Sequence, residues 1–157
     1  EVTNIMSDRV LTQGLAEPLR RRPGADRAFR QVVLASPDIG EEEFRQRWIY
    51  ELNSANPPRF TLYASRQDIP VAVSAWLHGE KRLGSGGPDI TVLPPLDSID
   101  ASHITSEWFG LGHSYFGDNE TVMSDLFLVI HQGLPPGQRP RLTRVKGSNG
   151  EYWEFKR

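Results

Sequence analysis

The sequence predicts an α/β fold, in which a largely parallel sheet is connected by helices. Short apolar runs that are typical of buried strands alternate with segments of helical periodicity. The apolar runs lie at Phe29–Ala35, Phe60–Ala64 and Ile90–Leu93, and a turn or a proline-rich break follows each of them. This alternation indicates about three parallel strands with crossover helices.

The first two segments with helical periodicity lie in the amino-terminal part of the chain. An apolar stripe between Met6 and Leu19 predicts a first helix, which the basic run Arg20–Arg22 ends. Three glutamates open a second helix at Glu41–Leu52, where the helix dipole favours acidic side chains. We expect its buried face to consist of Phe44, Trp48 and Leu52.

Two further helices are predicted on either side of a long irregular stretch. Asp68–Lys81 reads as a surface helix that ends near Gly79. Asp118 is expected to cap the last helix. The predicted apolar face of that helix consists of Val122, Met123, Leu126, Phe127 and Ile130.

The carboxyl-terminal part predicts a β-hairpin. Two extended segments, Leu142–Val145 and Tyr152–Phe155, flank the turn sequence Ser148-Asn149-Gly150. The chain shows no internal repeat and no composition shift that would mark a boundary, so residues 1–157 are expected to form a single domain.

Composition excludes several classes of function. With 18 basic and 20 acidic residues the formal net charge is −2, whereas general nucleic-acid binders usually carry a basic excess. The absence of cysteine excludes disulfides, thiolate zinc sites and a cysteine nucleophile. The histidines do not have metal-ligand spacing, so neither a metal nor another cofactor is expected. Apolar runs are too short for a membrane span.

Polar residues follow each predicted strand, at the edge where open α/β sheets bind ligands. They are Ser36–Asp38 after the first strand and Ser65–Asp68 after the second. The long loop after the third strand holds His103 and His113. An acid and a histidine on separate loops of this edge are the parts of a general base with its orienting carboxylate.

Several motifs resemble the carboxyl-terminal half of an α/β-hydrolase. The similarity is to an uncharacterised bacterial family known as domain of unknown function nine hundred, and it extends over roughly residues 5–155. The motifs that carry it are Val33–Ile39, Tyr63–Asp68, Leu83-Gly84, Leu111–Phe116, Asp118-Asn119 and Ser124–Leu126.

The resemblance implies a catalytic acid and a catalytic histidine. In α/β-hydrolases the triad follows the chain order nucleophile, acid, histidine. By this resemblance Asp68 is the acid and His113 is the histidine. Asp38 is the alternative acid, although a helix cap in combination with Glu41 is a second interpretation of that aspartate.

The nucleophile expected from the resemblance has no counterpart in the sequence. No G-x-S-x-G elbow occurs, and Ser114 lacks both the final glycine and the strand-turn-helix context. The family's elbow aligns with Asn4–Arg9, where Ile5 occupies the serine position and Ser7 the glycine position. We therefore expect this chain to lack the nucleophile, and also the loop that supplies an oxyanion-hole N–H.

Two functions remain open from the sequence. In the first, the chain is part of a serine hydrolase for a carboxylic ester or another acyl substrate and is inactive by itself. In the second, it is a non-catalytic pseudoenzyme or fragment that associates with itself or with a missing amino-terminal half. An exposed strand edge at Phe29–Ala35 would favour such association.

Overall fold

The fold is built on one six-stranded sheet. The computed structural model describes residues 2–6, 30–52, 58–66, 79–104 and 120–157. Two helices are described, α1 (Glu41–Leu52) and α2 (Glu120–Ile130), together with a 3-10 turn at Pro136–Gln138. The strands are β1 (Val2–Met6), β2 (Gln31–Ala35), β3 (Arg59–Ala64), β4 (Asp97–Asp100), β5 (Leu142–Gly147) and β6 (Gly150–Phe155).

The sheet is mostly parallel. Its strands follow the order β1-β2-β3-β4-β6-β5. Strands β1 to β4 pair in parallel in chain order, and β6 adds to β4 in parallel. Strand β5 is antiparallel to β6 in the predicted hairpin. The α/β class is confirmed, but the described sheet has five parallel strands where the sequence predicted about three.

Strand β2 packs against a hydrophobic core on each of its two faces. Val32 and Leu34 belong to one hydrophobic core together with Phe44 of α1. Val33 belongs to a second core together with Val122 of α2. Because successive side chains of a strand point to opposite faces, β2 is buried on both sides and its sequence is an unbroken apolar run.

The prediction of a third strand at Ile90–Leu93 is wrong. Ile90 is fully buried, but it packs into the core from an irregular segment. The strand that pairs with β3 is β4, at Asp97–Asp100. The aspartates at both ends of β4 make it look unlike a buried strand. Both have hydrogen-bond donors in the structure: Arg59 Nε donates to Asp97 Oδ2 (2.6 Å), and Ser102 N donates to the buried Asp100.

The predicted first helix does not begin at Met6. Residues Val2–Met6 form β1, which pairs along its whole length with β2. The predicted strand at Phe29–Ala35 is therefore not an edge strand. The remainder of the predicted first helix lies outside the described residues, as do residues 68–78 of the predicted helix Asp68–Lys81 and the predicted cap Asp118.

The buried face of α2 is rotated relative to the prediction. Val122 and Leu126 are buried as predicted. Met123 and Phe127, however, are 43% and 53% exposed. The polar Asp125 lies inward in their place. A buried partner for that carboxylate, which the sequence pattern does not reveal, accounts for the rotation.

That partner is Arg139, and together with Tyr63 it forms a buried polar cluster. Arg139 Nη1 donates hydrogen bonds to Asp125 Oδ2 (2.8 Å) and to the Tyr63 hydroxyl oxygen (3.1 Å). The Tyr63 hydroxyl in turn donates to Asp125 Oδ2 (2.6 Å). Burial raises the pKa of Tyr63 well above 10, so the phenol remains a hydrogen-bond donor. The cluster fixes α2 to β3.

Candidate active site

Three parallel strands end at one edge of the sheet, and each is followed by polar residues. Strand β2 leads into Ser36 and Asp38, β3 leads into Arg66, and β4 leads into Ser102 and His103. Because parallel strands have their carboxyl ends at the same edge, these residues come together although they are distant in sequence. The polar residues that follow β2, β3 and β4 therefore lie at one edge of the sheet.

A segment of residues 81–87, which we call the edge strap, crosses this edge. Leu83 N donates a hydrogen bond to Ile39 O (2.9 Å), and Gly84 N donates to Pro37 O (3.0 Å). Ser65 N donates to Gly84 O (3.0 Å) on the neighbouring strand end. A side chain at Gly84 would lie 2.7 Å from the carbonyl carbon of Ser36, so the close approach requires glycine. The edge strap connects the ends of β2 and β3.

Asp38 pairs with the edge strap. Its Oδ1 lies 3.2 Å from Nε of Arg82, whose side chain is buried. The alternative interpretation of Asp38 as a helix cap is wrong, because α1 begins at Glu41 and Phe44 N donates to Gly40 O (2.9 Å). Asp38 thus contributes a charge partner to a buried arginine.

Glu41 connects α1 with two residues, Lys81 and Thr91, of the segment that leads to β4. Its Oε2 accepts hydrogen bonds from Lys81 Nζ (2.8 Å) and Thr91 Oγ1 (2.9 Å). Burial alone would raise the pKa of this carboxyl, but the contacts with Lys81 and Thr91 outweigh burial and hold the pKa below its usual 4.5. The Glu41 carboxylate therefore remains ionised and holds the start of the edge strap.

A hydrogen-bonded bridge connects the ends of β3 and β4. Asp100 Oδ1 accepts hydrogen bonds from the backbone N–H of Ser102 (3.0 Å) and from its hydroxyl. The Ser102 hydroxyl oxygen in turn accepts a hydrogen bond from the backbone N–H of Arg66 (2.9 Å). The loop after β3 and the loop after β4 are therefore joined directly.

The architecture and this edge agree with a known family. A family model described as "Alpha/beta hydrolase of unknown function (DUF900)" matches residues 6–130. The chain belongs to this family. No curated protein and no solved structure matches the chain. The match extends from the last residue of β1 to the last residue of α2, and so includes every described residue at the carboxyl ends of β2, β3 and β4.

The residues that the DUF900 resemblance marks as catalytic lie outside the described residues. Asp68 comes two positions after Arg66, the last described residue of the loop after β3. His113 belongs to the connection between Ile104 and Glu120, which leads from β4 to α2. Ser7 and Ser114 also lie outside the described ranges.

The position aligned with the family's nucleophile lies within a strand. Ile5 is the fourth residue of β1 and is paired with Leu34 of β2. A nucleophile elbow places its serine on a sharp turn after the strand. The DUF900 match begins at Met6, so Ile5 itself falls just outside it.

Ser36, one of the polar residues predicted at this edge, has an unusual backbone conformation. It is the one non-glycine residue of the described chain with a positive φ, 42°, and it lies directly after β2. Its buried hydroxyl has no hydrogen-bond partner among the described residues. The next residue is Pro37, which has no N–H, whereas the oxyanion hole of an α/β-hydrolase uses the N–H that follows the nucleophile. Ser36 is therefore unsuited to that role.

The two described histidines have local partners. His103 Nε2 lies 3.7 Å from Glu154 Oε2 of β6. His131 directly follows α2, and its ring packs against Phe127 with the ring centroids 4.7 Å apart. Within the described ranges, no three acidic or histidine side chains are grouped as metal ligands would be. None of the helices in those ranges is long and apolar enough to cross a membrane.

Proposed function

We propose that this chain supplies the acid and the histidine of a serine-hydrolase triad, with Asp68 as the acid and His113 as the base. The proposed substrate class is a carboxylic ester or another acyl compound. The carboxylate would hold the imidazole in the correct tautomer, and the imidazole would take the proton from an attacking serine. Ile5 has no nucleophilic atom, so the serine is a residue other than the one at this aligned position.

One observation carries this proposal. The chain that follows β3 toward Asp68 is hydrogen-bonded to the chain that follows β4 toward His113. The contact joins the second residue after each strand, with 2.9 Å between Arg66 N and Ser102 Oγ. Both loops leave the carboxyl edge of the sheet, as membership of an α/β-hydrolase family requires of the acid and the histidine. The competing acid, Asp38, is already paired with Arg82.

The test is an NMR titration of His113 in three proteins: wild type, Asp68→Asn and Asp38→Asn. A carboxylate beside an imidazole favours the charged ring, so removing it should lower the pH at which His113 titrates. We expect Asp68→Asn to lower that midpoint by about one unit. Asp38→Asn is the matched control, and it should leave the midpoint unchanged.

Either of two results would count against the proposed pair. A fall in Asp38→Asn alone would make Asp38 the acid. An unchanged midpoint in both variants would mean that neither aspartate faces His113, and the proposed function would then be wrong.

The alternative proposal is a non-catalytic association module. The specific observations that favour it are Ile5 within β1, at the outer position of the described sheet, and the exposed apolar pair Met123 and Phe127 on α2. A strand that is outermost among the described strands and an exposed apolar face are both features of association surfaces. Under this alternative, neither aspartate variant changes the titration of His113.

A further inference from the structure

We propose that Asn149 is a deamidation site, and that its conversion to an acid releases the β5–β6 turn, Ser148-Asn149, from residues 88–90. The group that changes is the side-chain amide of Asn149, and the co-reactant is water. None of the residues assigned to the triad takes part, so this site is independent of the proposed function.

The reactivity of Asn149 follows from its neighbour, Gly150. The backbone nitrogen of the next residue can attack the side-chain carbon Cγ of an asparagine, and glycine hinders this attack least because it has no side chain. The chain contains five asparagines, and Asn149 is the one that glycine follows. Asn149 is exposed in the turn between β5 and β6, so solvent water reaches it.

The reaction balances with water as its co-reactant. The Gly150 nitrogen forms a bond to Cγ of Asn149, the bond between Cγ and the amide nitrogen breaks, and ammonia leaves with the proton of the attacking nitrogen. The product is a cyclic succinimide. Water then opens one of the two ring bonds between nitrogen and a carbonyl carbon, which yields either aspartate or isoaspartate.

The fold requires glycine at position 150. Its φ is 132°, in a region that residues with a side chain rarely adopt. A Cβ atom there would also lie 3.1 Å from Val92 Cγ1. Gly150 and Gly147 are the last pair of the β5–β6 ladder, next to the turn, where a pair can open without disturbing the remainder. The fold therefore retains the neighbour that makes Asn149 reactive and places its nitrogen at the end of the ladder.

The amide of Asn149 attaches the turn to residues 88–90. Its Nδ2 donates hydrogen bonds to Asp89 O (3.2 Å) and Ile90 O (3.4 Å). The adjacent Ser148 hydroxyl donates to Asp89 Oδ1 (2.9 Å). Because Ile90 is fully buried, the amide connects an exposed turn to a residue of the hydrophobic core.

Deamidation removes these contacts. A carboxylate accepts hydrogen bonds but donates none, so an oxygen in place of Nδ2 would face the carbonyl oxygens of Asp89 and Ile90. The new negative charge would also approach the Asp89 carboxylate, to which Ser148 is hydrogen-bonded. Isoaspartate would in addition lengthen the backbone by one carbon atom. With either product, the turn loses its attachment to residues 88–90.

The first measurement is a peptide map of the folded full chain by mass spectrometry after incubation at mildly alkaline pH. We expect Asn149 to convert to both aspartate and isoaspartate. The rate should rise with pH, because the attacking nitrogen must lose its proton. Asn4, which precedes Ile5, is the internal control and should remain unmodified. If Asn149 stays intact in the folded chain, whether or not it converts in urea, the proposal is overturned.

The second measurement is the melting temperature of Asn149→Asp, which reproduces one product directly. Loss of the amide hydrogen bonds and the added repulsion should lower it by about 2–4 °C. The matched control is Gln138→Glu, the same change of amide to carboxylate at an exposed side chain that has no hydrogen bond to the described residues. Its melting temperature should stay within about 1 °C of wild type.

Two results of the second measurement would overturn the release of the turn. The first is a melting temperature of Asn149→Asp equal to that of wild type. The second is an equal fall in Asn149→Asp and Gln138→Glu, because the added charge alone would then account for the loss.

Discussion

Replacing Arg139 by Ala should lower the free energy of unfolding by about 3–5 kcal/mol. Both members of the ion pair are buried, with exposed side-chain fractions of 0% for Arg139 and 1% for Asp125. Removing the guanidinium leaves the Asp125 carboxylate without its cationic partner, and a buried charge without a partner is strongly destabilising. Urea denaturation at neutral pH measures the loss.

Arg45→Ala is the matched control for this prediction. Arg45 lies 3.1 Å from Glu41 and 3.6 Å from Glu42, but 46% of its side chain is exposed. Ion pairs of this kind contribute at most about 1 kcal/mol. Comparable losses in the two arginine variants would show that the buried cluster does not hold α2 against β3.

The effect of Arg139→Ala should also depend on pH. Burial raises the pKa of Asp125 above its usual 3.8, and Arg139 and Tyr63 limit that rise. Without Arg139 the pKa rises further. A carboxyl whose pKa is raised in the folded state loses its contribution to stability as the pH rises through that value. The difference in the free energy of unfolding between wild type and Arg139→Ala should therefore become smaller as the pH falls toward 3.8 and larger toward neutral pH.

The second large effect is expected at Gly86. Gly86→Ala places a methyl group 2.8 Å from Ser65 Cα, which is backbone and cannot move aside as a side-chain end can. The expected loss in the free energy of unfolding is about 1–3 kcal/mol, because overpacking forces the backbone apart. Thermal or urea unfolding of the variant measures it.

Gly137→Ala controls for the general effect of adding a methyl group. The nearest atom to its Cβ would be the Trp153 ring at 3.5 Å, an ordinary contact, so the change in stability should stay within about 0.5 kcal/mol. Equal losses in the free energy of unfolding for the two glycine variants would contradict the close approach of Gly86 to Ser65 Cα.

Strands that are buried on both faces could be predicted from the sequence, and those with polar contacts could not. Both β2 and β3 read as apolar runs because each packs against two cores. Strand β4 begins with Asp97, whose partner Arg59 lies on β3, and it ends with the buried Asp100, which accepts hydrogen bonds from Ser102. A local pattern cannot show such partners, so the neighbouring apolar segment at Ile90–Leu93 was taken for the strand.

Polar contacts between residues that are distant in the chain could not be predicted from the sequence either. Tyr63 lies 62 residues from Asp125 and 76 from Arg139, so no spacing rule relates them. Asp125 therefore read as a surface position of α2, and the predicted apolar face was wrong at Met123 and Phe127.

The edge of the candidate site could be predicted because parallel strands have their carboxyl ends together. Asp68 and His113 were chosen within it by the resemblance to a family. The hydrogen bond from Arg66 N to Ser102 Oγ connects residues that are 36 positions apart, so it becomes visible only in the structure.

The most direct test of the acid–histidine pair is the distance between the Asp68 carboxylate and His113 Nδ1 in a crystal structure of this chain. The account predicts a hydrogen bond of about 2.6–3.2 Å, or a slightly longer contact in the absence of substrate. Side chains on opposite edges of the sheet, or an Asp38 carboxylate bound to His113 in place of Asp68, would contradict it.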